Sequence, residues 1–163
     1  MERLSSDALA TIHLIGVEDP SAFGVVDIES GGSGVIREFV EKPAPGTEPS
    51  NLINAGTYVF EPEVLARIPA GKPVSIERDT FPLVAAGGRL HALVTDDYWI
   101  DAGRPDTYLR ANLDLITGAR AEKAQAIAPG AAVAATASIL DAVIGDGAAV
   151  GDRAKVRRSV LLP

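Results

Sequence analysis

Cysteine is absent from the 163 residues, which excludes disulfides, thiolate metal sites and a thiol nucleophile. Histidine occurs only as His13 and His91, too few for a three-histidine zinc centre. Positive charge is in short supply. Lys and Arg number 15 against 22 Asp and Glu, a net charge of −7, and a nucleic-acid binder needs the opposite balance. No apolar run approaches the roughly 18 to 20 residues of a membrane helix. The first residues, MERLSSDALATIHLIG, have no basic stretch ahead of a continuous apolar one, so they do not read as a secretory signal. The expected compartment is the cytoplasm. Aromatic residues make up only 5% and none occurs from Ala119 onward.

What is present is ordinary globular material, with 47% hydrophobic and 23% charged residues. That is enough apolar surface to offset the ordering entropy of a fold. The composition divides the chain into an α/β zone over residues 1–118, a stripe-free linker over 119–126 (GARAEKAQA begins at Gly118) and a tail of small residues over 127–163. In the first zone, short β-branched runs predict strands at Thr11–Val17, Gly24–Ile28, Val35–Glu41, Asn51–Phe60 and Arg89–Thr95. The GGSG at 31–34 predicts a turn between two of them. Helices are expected at Pro62–Ile68, around Ser75–Ala86 and at Pro105–Thr117. Ser75 is the N-cap candidate of the second, and Pro82 should bend or restart it. In the third, Tyr108, Leu109, Leu113 and Ile116 share a face, and Gly118 closes the helix.

The tail contains a repeat. Ile127, Val133, Ile139, Ile144, Val150, Val156 and Leu162 recur at intervals of 6, 6, 5, 6, 6 and 6. A longer self-match pairs Ile139 and Val143-Ile144 with Val156 and Val160-Leu161, at an offset of 17. A triangular β-solenoid with one inward apolar residue per face accounts for both periods. Asp141, Asp146 and Asp152 then fall at its corners as turn residues.

Five segments carry candidate chemistry: Asp19-Pro-Ser-Ala-Phe-Gly-Val-Val-Asp27, Phe39-Val-Glu-Lys-Pro43, Asn54-Ala-Gly-Thr-Tyr-Val-Phe60, Ser75-Ile-Glu-Arg-Asp-Thr-Phe-Pro82 and Tyr98-Trp-Ile-Asp-Ala-Gly-Arg-Pro105. Their order and spacing resemble the sugar-phosphate nucleotidyltransferases, and among them the mannose-1-phosphate guanylyltransferases, over about residues 10 to 118. The implied fold is an incomplete Rossmann-like domain, a mixed sheet with helices, followed by a short left-handed β-helix of hexapeptide repeats. The implied reaction joins a nucleoside triphosphate, GTP by preference, to a sugar 1-phosphate, mannose 1-phosphate by preference. Its products are a nucleotide sugar and pyrophosphate. No covalent intermediate forms, so the protein's work is positioning and charge neutralisation.

The resemblance assigns roles residue by residue. Lys42 is expected at the sugar phosphate, to which an ammonium offers a point charge and three donors; taken alone it reads as a solvated surface lysine. Glu41 is expected to accept hydrogen bonds from sugar hydroxyls. Gly24 corresponds to a close approach of backbone and sugar, and also reads as a plain strand-entry glycine. Asn54 and Gly56 are expected to line the sugar pocket, with an Asn that caps a turn as the alternative. Asp101 is expected to ligate Mg²⁺, which prefers hard oxygens; the competing reading is a cap beside the helix starting at Pro105. The family's usual aliphatic and Thr are replaced here by Ala102 and Arg104. His13 and His91 read as sheet residues.

A glycine-rich triphosphate loop followed by Arg and Lys has no counterpart before residue 20, and an earlier magnesium Asp has none either. The expectation is therefore the sugar-binding half of the enzyme, inactive alone, whose tail breaks off inside a coil and drives homo-oligomer formation. A regulatory or scaffold subunit that binds nucleotide sugar is the alternative. A solenoid acyltransferase is disfavoured, because the repeat contains no histidine.

Overall fold

The computed structural model describes residues 7–119 and 123–163. The first six residues and positions 120–122 of the expected linker lie outside them. Two compact units divide the chain, one ending at Asp97 and one beginning at Tyr98. They are described separately.

The first unit is a five-stranded mixed sheet. Its strands are β1 (Ala10–Gly16), β2 (Gly24–Ile28), β3 (Ile36–Glu41), β4 (Leu52–Phe60) and β5 (Leu90–Thr95), in the order β3-β2-β4-β1-β5. Only β1 and β5 run parallel, with Leu14 opposite Val94; the other neighbours are antiparallel. The β2–β3 turn places Gly31, Gly32 and Gly34 at φ of 118°, 78° and 70°, conformations that favour glycine. Alternate residues of β1, namely Ala10, Ile12 and Leu14, join Leu90, Val26, Ile36 and Phe39 in one core, as the two-residue period of a strand requires.

Helical segments complete that core. Helix α1 (Pro62–Ala66) contributes Val64. The stretch expected to bend or restart at Pro82 restarts there, as two elements. A π-helical turn spans Ile76–Thr80, capped by the Ser75 hydroxyl, which accepts from the Arg78 N–H at 3.2 Å. Helix α2 (Phe81–Ala86) follows with Pro82 in its first turn, where a missing N–H costs nothing. The π turn and the restart bring Phe81 into the core at 0% exposure, between Phe39 at 5.2 Å and Tyr58 at 5.1 Å.

The second unit begins with helix α3 (Pro105–Thr117). Gly118 closes it at φ 76° with its N–H on the Asp114 carbonyl, as the sequence predicts. Leu109, Leu113 and Ile116 are half-buried, but Tyr108 is 41% exposed and does not belong to the packed face. The tail then forms parallel rungs. Strand β6 (Ala132–Val133) pairs with β8 (Ala149–Val150), and β7 (Ser138–Ile144) pairs with β9 (Lys155–Leu161). The residue partners Val133–Val150, Ile139–Val156 and Ile144–Leu161 are all 17 apart, and an isolated bridge joins Ile127 to Ile144 at the same offset.

The offset corrects one position. Leu161, not Leu162, pairs with Ile144 and packs on the small core of Ile144, Ala148 and Val150. Leu162 is 67% exposed. Each 17-residue coil has one five-residue side, so the last interval is 5 and not 6. Two of the corner acids tie successive coils together. Asp146 accepts from the Gly130 N–H at 2.9 Å, and Asp152 accepts from the Thr136 hydroxyl at 3.0 Å.

Candidate functional site

Five of the six expected site residues lie in the first unit, on adjoining parts of the sheet. Gly24 opens β2 directly opposite Glu41, the last residue of β3. The pairing is close: a Cβ built on Gly24 would sit 2.5 Å from Phe39 Cζ and 3.0 Å from Glu41 Oε2. Only glycine leaves the Glu41 carboxylate where it is, because separations that short are repulsive. Glu41 is largely buried and Lys42 is exposed, at 13% and 60% of the side chain, with Nζ 3.9 Å from Glu41 Oε1.

Lys42 has left the strand. Its N–H still donates to the Phe23 carbonyl at 2.9 Å, but its φ is 51°, a region rare for a side chain with a Cβ. Such strained positions persist only where the surrounding structure over-determines them. Here the backbone bond to Phe23 on one side and Pro43 on the other hold the turn.

Asn54 and Gly56 sit in a bulge. Opposite Ile12 and Leu14 of β1 stand Tyr58 and Asn54 of β4, so β4 spends four residues where β1 spends two. Gly56 occupies the distortion at φ 82°. Asn54 spans it from below: its Oδ1 accepts from the Gly56 N–H at 2.9 Å and its Nδ2 donates to the Tyr58 hydroxyl at 2.8 Å. Bulges re-aim side chains and recur beside active sites. This one fixes Asn54 and leaves Gly56 and Thr57 exposed.

Tyr58 and Glu77 also belong to this group, and the sequence reading did not single them out. Burial pushes the Tyr58 phenol above its ordinary value of 10.0; the Asn54 bond opposes this, and the negative charges of Glu77 and Glu41 add to it. Two carboxylates therefore act on one phenol. Its ring is held 5.6 Å from Phe60 and 5.1 Å from Phe81. Both residues lie within the quoted segments, but Glu77 was read as an acid for a helix dipole. The π turn that holds Glu77 within electrostatic reach of Tyr58 has no signature in residue spacing.

Asp101 belongs to the second unit. It is exposed, and its Oδ1 accepts from the Gly103 N–H at 2.9 Å, closing a short turn before α3. It is not the helix cap. That position is Arg104, whose side chain makes no cap bond and whose guanidinium reaches Asp106 at 3.0 and 3.1 Å. This contact, ahead of the opposite charge it brings, lowers the Asp106 pKa. A single exposed carboxylate fits the modest demand of Mg²⁺, which takes one or two carboxylates with phosphate oxygens and water. Among the described residues no group of three His, Cys, Asp or Glu could form a closed metal cage.

His13 and His91 are sheet residues. His13 Nε2 lies 2.8 Å from the Thr95 hydroxyl; His91 is 6% exposed and bridges to Val35. Cavities of about 450 and 440 Å³ occur in the second and first units, and neither is lined by any of the six expected residues.

This geometry has relatives. Residues 1–118 match the model of the family described as Nucleotidyl transferase. The mannose-1-phosphate guanylyltransferase of Mycobacterium tuberculosis is 36% identical over 96% of this chain and 45% of its own length. The mannose-1-phosphate guanylyltransferase catalytic subunit beta of Danio rerio is 46% identical over 61% of this chain and 26% of its own. A solved structure described as a glucose-1-phosphate thymidylyltransferase from Bacillus anthracis, in complex with a sucrose, has a TM-score of 0.55 and 29% identity. It covers 64% of this chain and 42% of that one. The chain thus spans less than half the length of these relatives. With its family model matched across the whole mixed sheet and through α3, the chain belongs to the nucleotidyl transferase family.

Proposed function

We propose that this chain supplies the sugar-phosphate side of a mannose-1-phosphate guanylyltransferase reaction. The observation that carries the reading is the cluster of Gly24, Glu41 and Lys42 at one end of β2 and β3, beside the Asn54–Tyr58 bulge. A recessed carboxylate beside an exposed ammonium matches a ligand with hydroxyls at one end and phosphate at the other. Glu41 accepts from sugar hydroxyls. Asn54 and Gly56 shape the wall of the sugar pocket, with Tyr58 behind them. Lys42 neutralises the sugar phosphate and holds it for attack.

In that reaction an oxygen of the sugar 1-phosphate bonds to the α-phosphorus of GTP in line, the α–β phosphoanhydride bond breaks, and pyrophosphate leaves. Asp101 would hold Mg²⁺, which when bound supplies charge neutralisation at the phosphates. A triphosphate-cradling glycine loop is not among these 163 residues, so this polypeptide by itself binds the sugar phosphate without turning it over. The rungs at a 17-residue offset support a short left-handed β-helix of hexapeptide type, through which copies associate. No helix among the described residues is long and apolar enough to cross a membrane, and the reading places the protein in the cytoplasm.

Calorimetric titration of the chain with mannose 1-phosphate tests this. Saturable binding is expected, weakened at least about tenfold by Lys42→Met, since a charge-assisted phosphate contact is worth about 1.5–3 kcal/mol. Free mannose should bind much more weakly than its phosphate. Equal binding by wild type and Lys42→Met would remove Lys42 from the site. Pyrophosphate release from GTP and mannose 1-phosphate by the chain alone would overturn the half-site reading.

A further inference from the structure

The second unit contains a cavity that the proposed reaction does not use. We infer that this cavity is a binding site for a ligand with a flat ring and one anionic group. It has a volume of about 450 Å³ and lies among the Tyr98–Ile100 segment, one face of α3 and Arg158 of β9. That volume falls in the range of small-molecule sites, roughly 300–1,000 Å³.

Its walls divide by chemistry. Tyr98, Trp99, Leu109 and Leu113 give apolar and aromatic surface, on which a ring stacks with an offset or edge-on geometry. The charges are mostly already matched. Asp106 is held by Arg104 at 3.0 Å. Asp114 accepts from the Tyr98 hydroxyl at 2.7 Å and pairs with Arg110 at 3.5 Å. Arg158 is different: among the described residues no carboxylate lies within ion-pair distance of it. The cavity is thus left with one unmatched guanidinium at an aromatic wall, and a guanidinium is the side chain best suited to a phosphate or carboxylate.

Arg158 stands at a corner that the coil repeats. Arg158 has φ 44°, and Asp141, one coil earlier in the same register, has φ 48°. Two successive coils accept left-handed strain at one corner, although neither residue is a glycine.

The Tyr98–Ile100 wall runs directly into Asp101. Occupancy would restrain the segment that bears the candidate magnesium ligand, which makes the cavity a regulatory site. That consequence rests on the reading of Asp101 above, whereas the binding claim stands on the cavity alone.

Trp99 is the chain's single tryptophan, so its fluorescence reports occupancy directly. Guanosine 5′-monophosphate is the probe, with guanosine and inorganic phosphate as its two halves. The expected result is a saturable change with the monophosphate, at least tenfold tighter than with either half. Arg158→Gln should weaken it about tenfold, and Arg158→Lys should recover part of the loss. Lys42→Met should leave the response intact. No change at millimolar monophosphate, or equal responses in wild type and Arg158→Gln, would overturn the site. Loss of the response in Lys42→Met alone would place the nucleotide at the sugar-phosphate cluster and would also overturn it. The mannose 1-phosphate titration is a separate readout, so failure of one proposal is distinguishable from failure of the other.

Discussion

The sheet unit and the coil unit bury their interiors by different means. In the sheet unit the core is made of large side chains from distant segments: Phe39, Tyr58, Phe60 and Phe81 meet from two strands and a helix. In the coil unit no described residue larger than Ile is buried, and the core residues Ile144 and Val150 pair with counterparts 17 positions away. The charges differ as well. Residues 1–97 carry seven Lys or Arg against fifteen Asp or Glu, and residues 98–163 carry eight against seven. A phosphate approaching an acid-rich unit needs a cation placed locally, and the strained turn at Lys42 provides one. In the coil the basic residues cluster late, at Arg153, Lys155, Arg157 and Arg158.

The comparison is most readily broken at Phe81. This ring is fully buried and touches three other aromatic rings. Phe81→Ala should cost about 3–5 kcal/mol, the usual range for emptying such a site. Urea denaturation followed by circular dichroism measures it. A loss below about 1 kcal/mol would show that the sheet core collapses around the gap and is not a fixed aromatic packing.

A smaller effect sharpens the coil side. Leu161 packs on the coil core and Leu162 does not. Leu161→Ala should therefore destabilise by about 1–2 kcal/mol, below the full-burial range because the site is only half covered. Leu162→Ala should fall within about 0.5 kcal/mol of wild type. The reverse order would restore a six-residue last interval and discard the 17-residue register.

Much of this was legible in sequence, for reasons that can be named. Strand existence followed from β-branched runs, and β2 matches its expected span of Gly24–Ile28. Helix α3 was legible at both ends because Pro105 and Gly118 are local signals whose physics does not depend on distant contacts. The coil register was half legible. The 17-residue self-match carried the correct pairing, and the six-residue count, extended past Val156, did not. Where reading failed, the cause was a tertiary arrangement without a local mark. Gly56 gave no sign that β4 takes two extra residues against β1. Glu77 was placed by a π turn that spacing does not announce. Tyr58 looked like one more strand aromatic until Asn54, Glu41 and Glu77 surrounded it.

Tyr58 also yields the smallest predicted effect, which is one of slope. Its phenol is pushed above 10.0, first by burial and then by the negative charges of Glu77 and Glu41, with the Asn54 bond working against them. Below the unfolded value both folded and unfolded chains keep the proton, and the folded-state preference is fully expressed. Above it the unfolded chain releases the proton while the folded chain still holds it, so stability falls as pH rises toward the folded value. Tyr58→Phe has no proton to lose. The variant should start lower near pH 8, because Asn54 Nδ2 loses its acceptor at a cost of about 0.5–1.5 kcal/mol. The gap to wild type should then narrow above about pH 10, where a tyrosine titrates. Every other ionisable group is common to both proteins and cancels in the difference. Urea midpoints at a series of alkaline pH values measure that gap. A gap that stays constant would mean that the Tyr58 phenol titrates alike in folded and unfolded chains, and that Glu41 and Glu77 do not act on it as the geometry of the bulge requires.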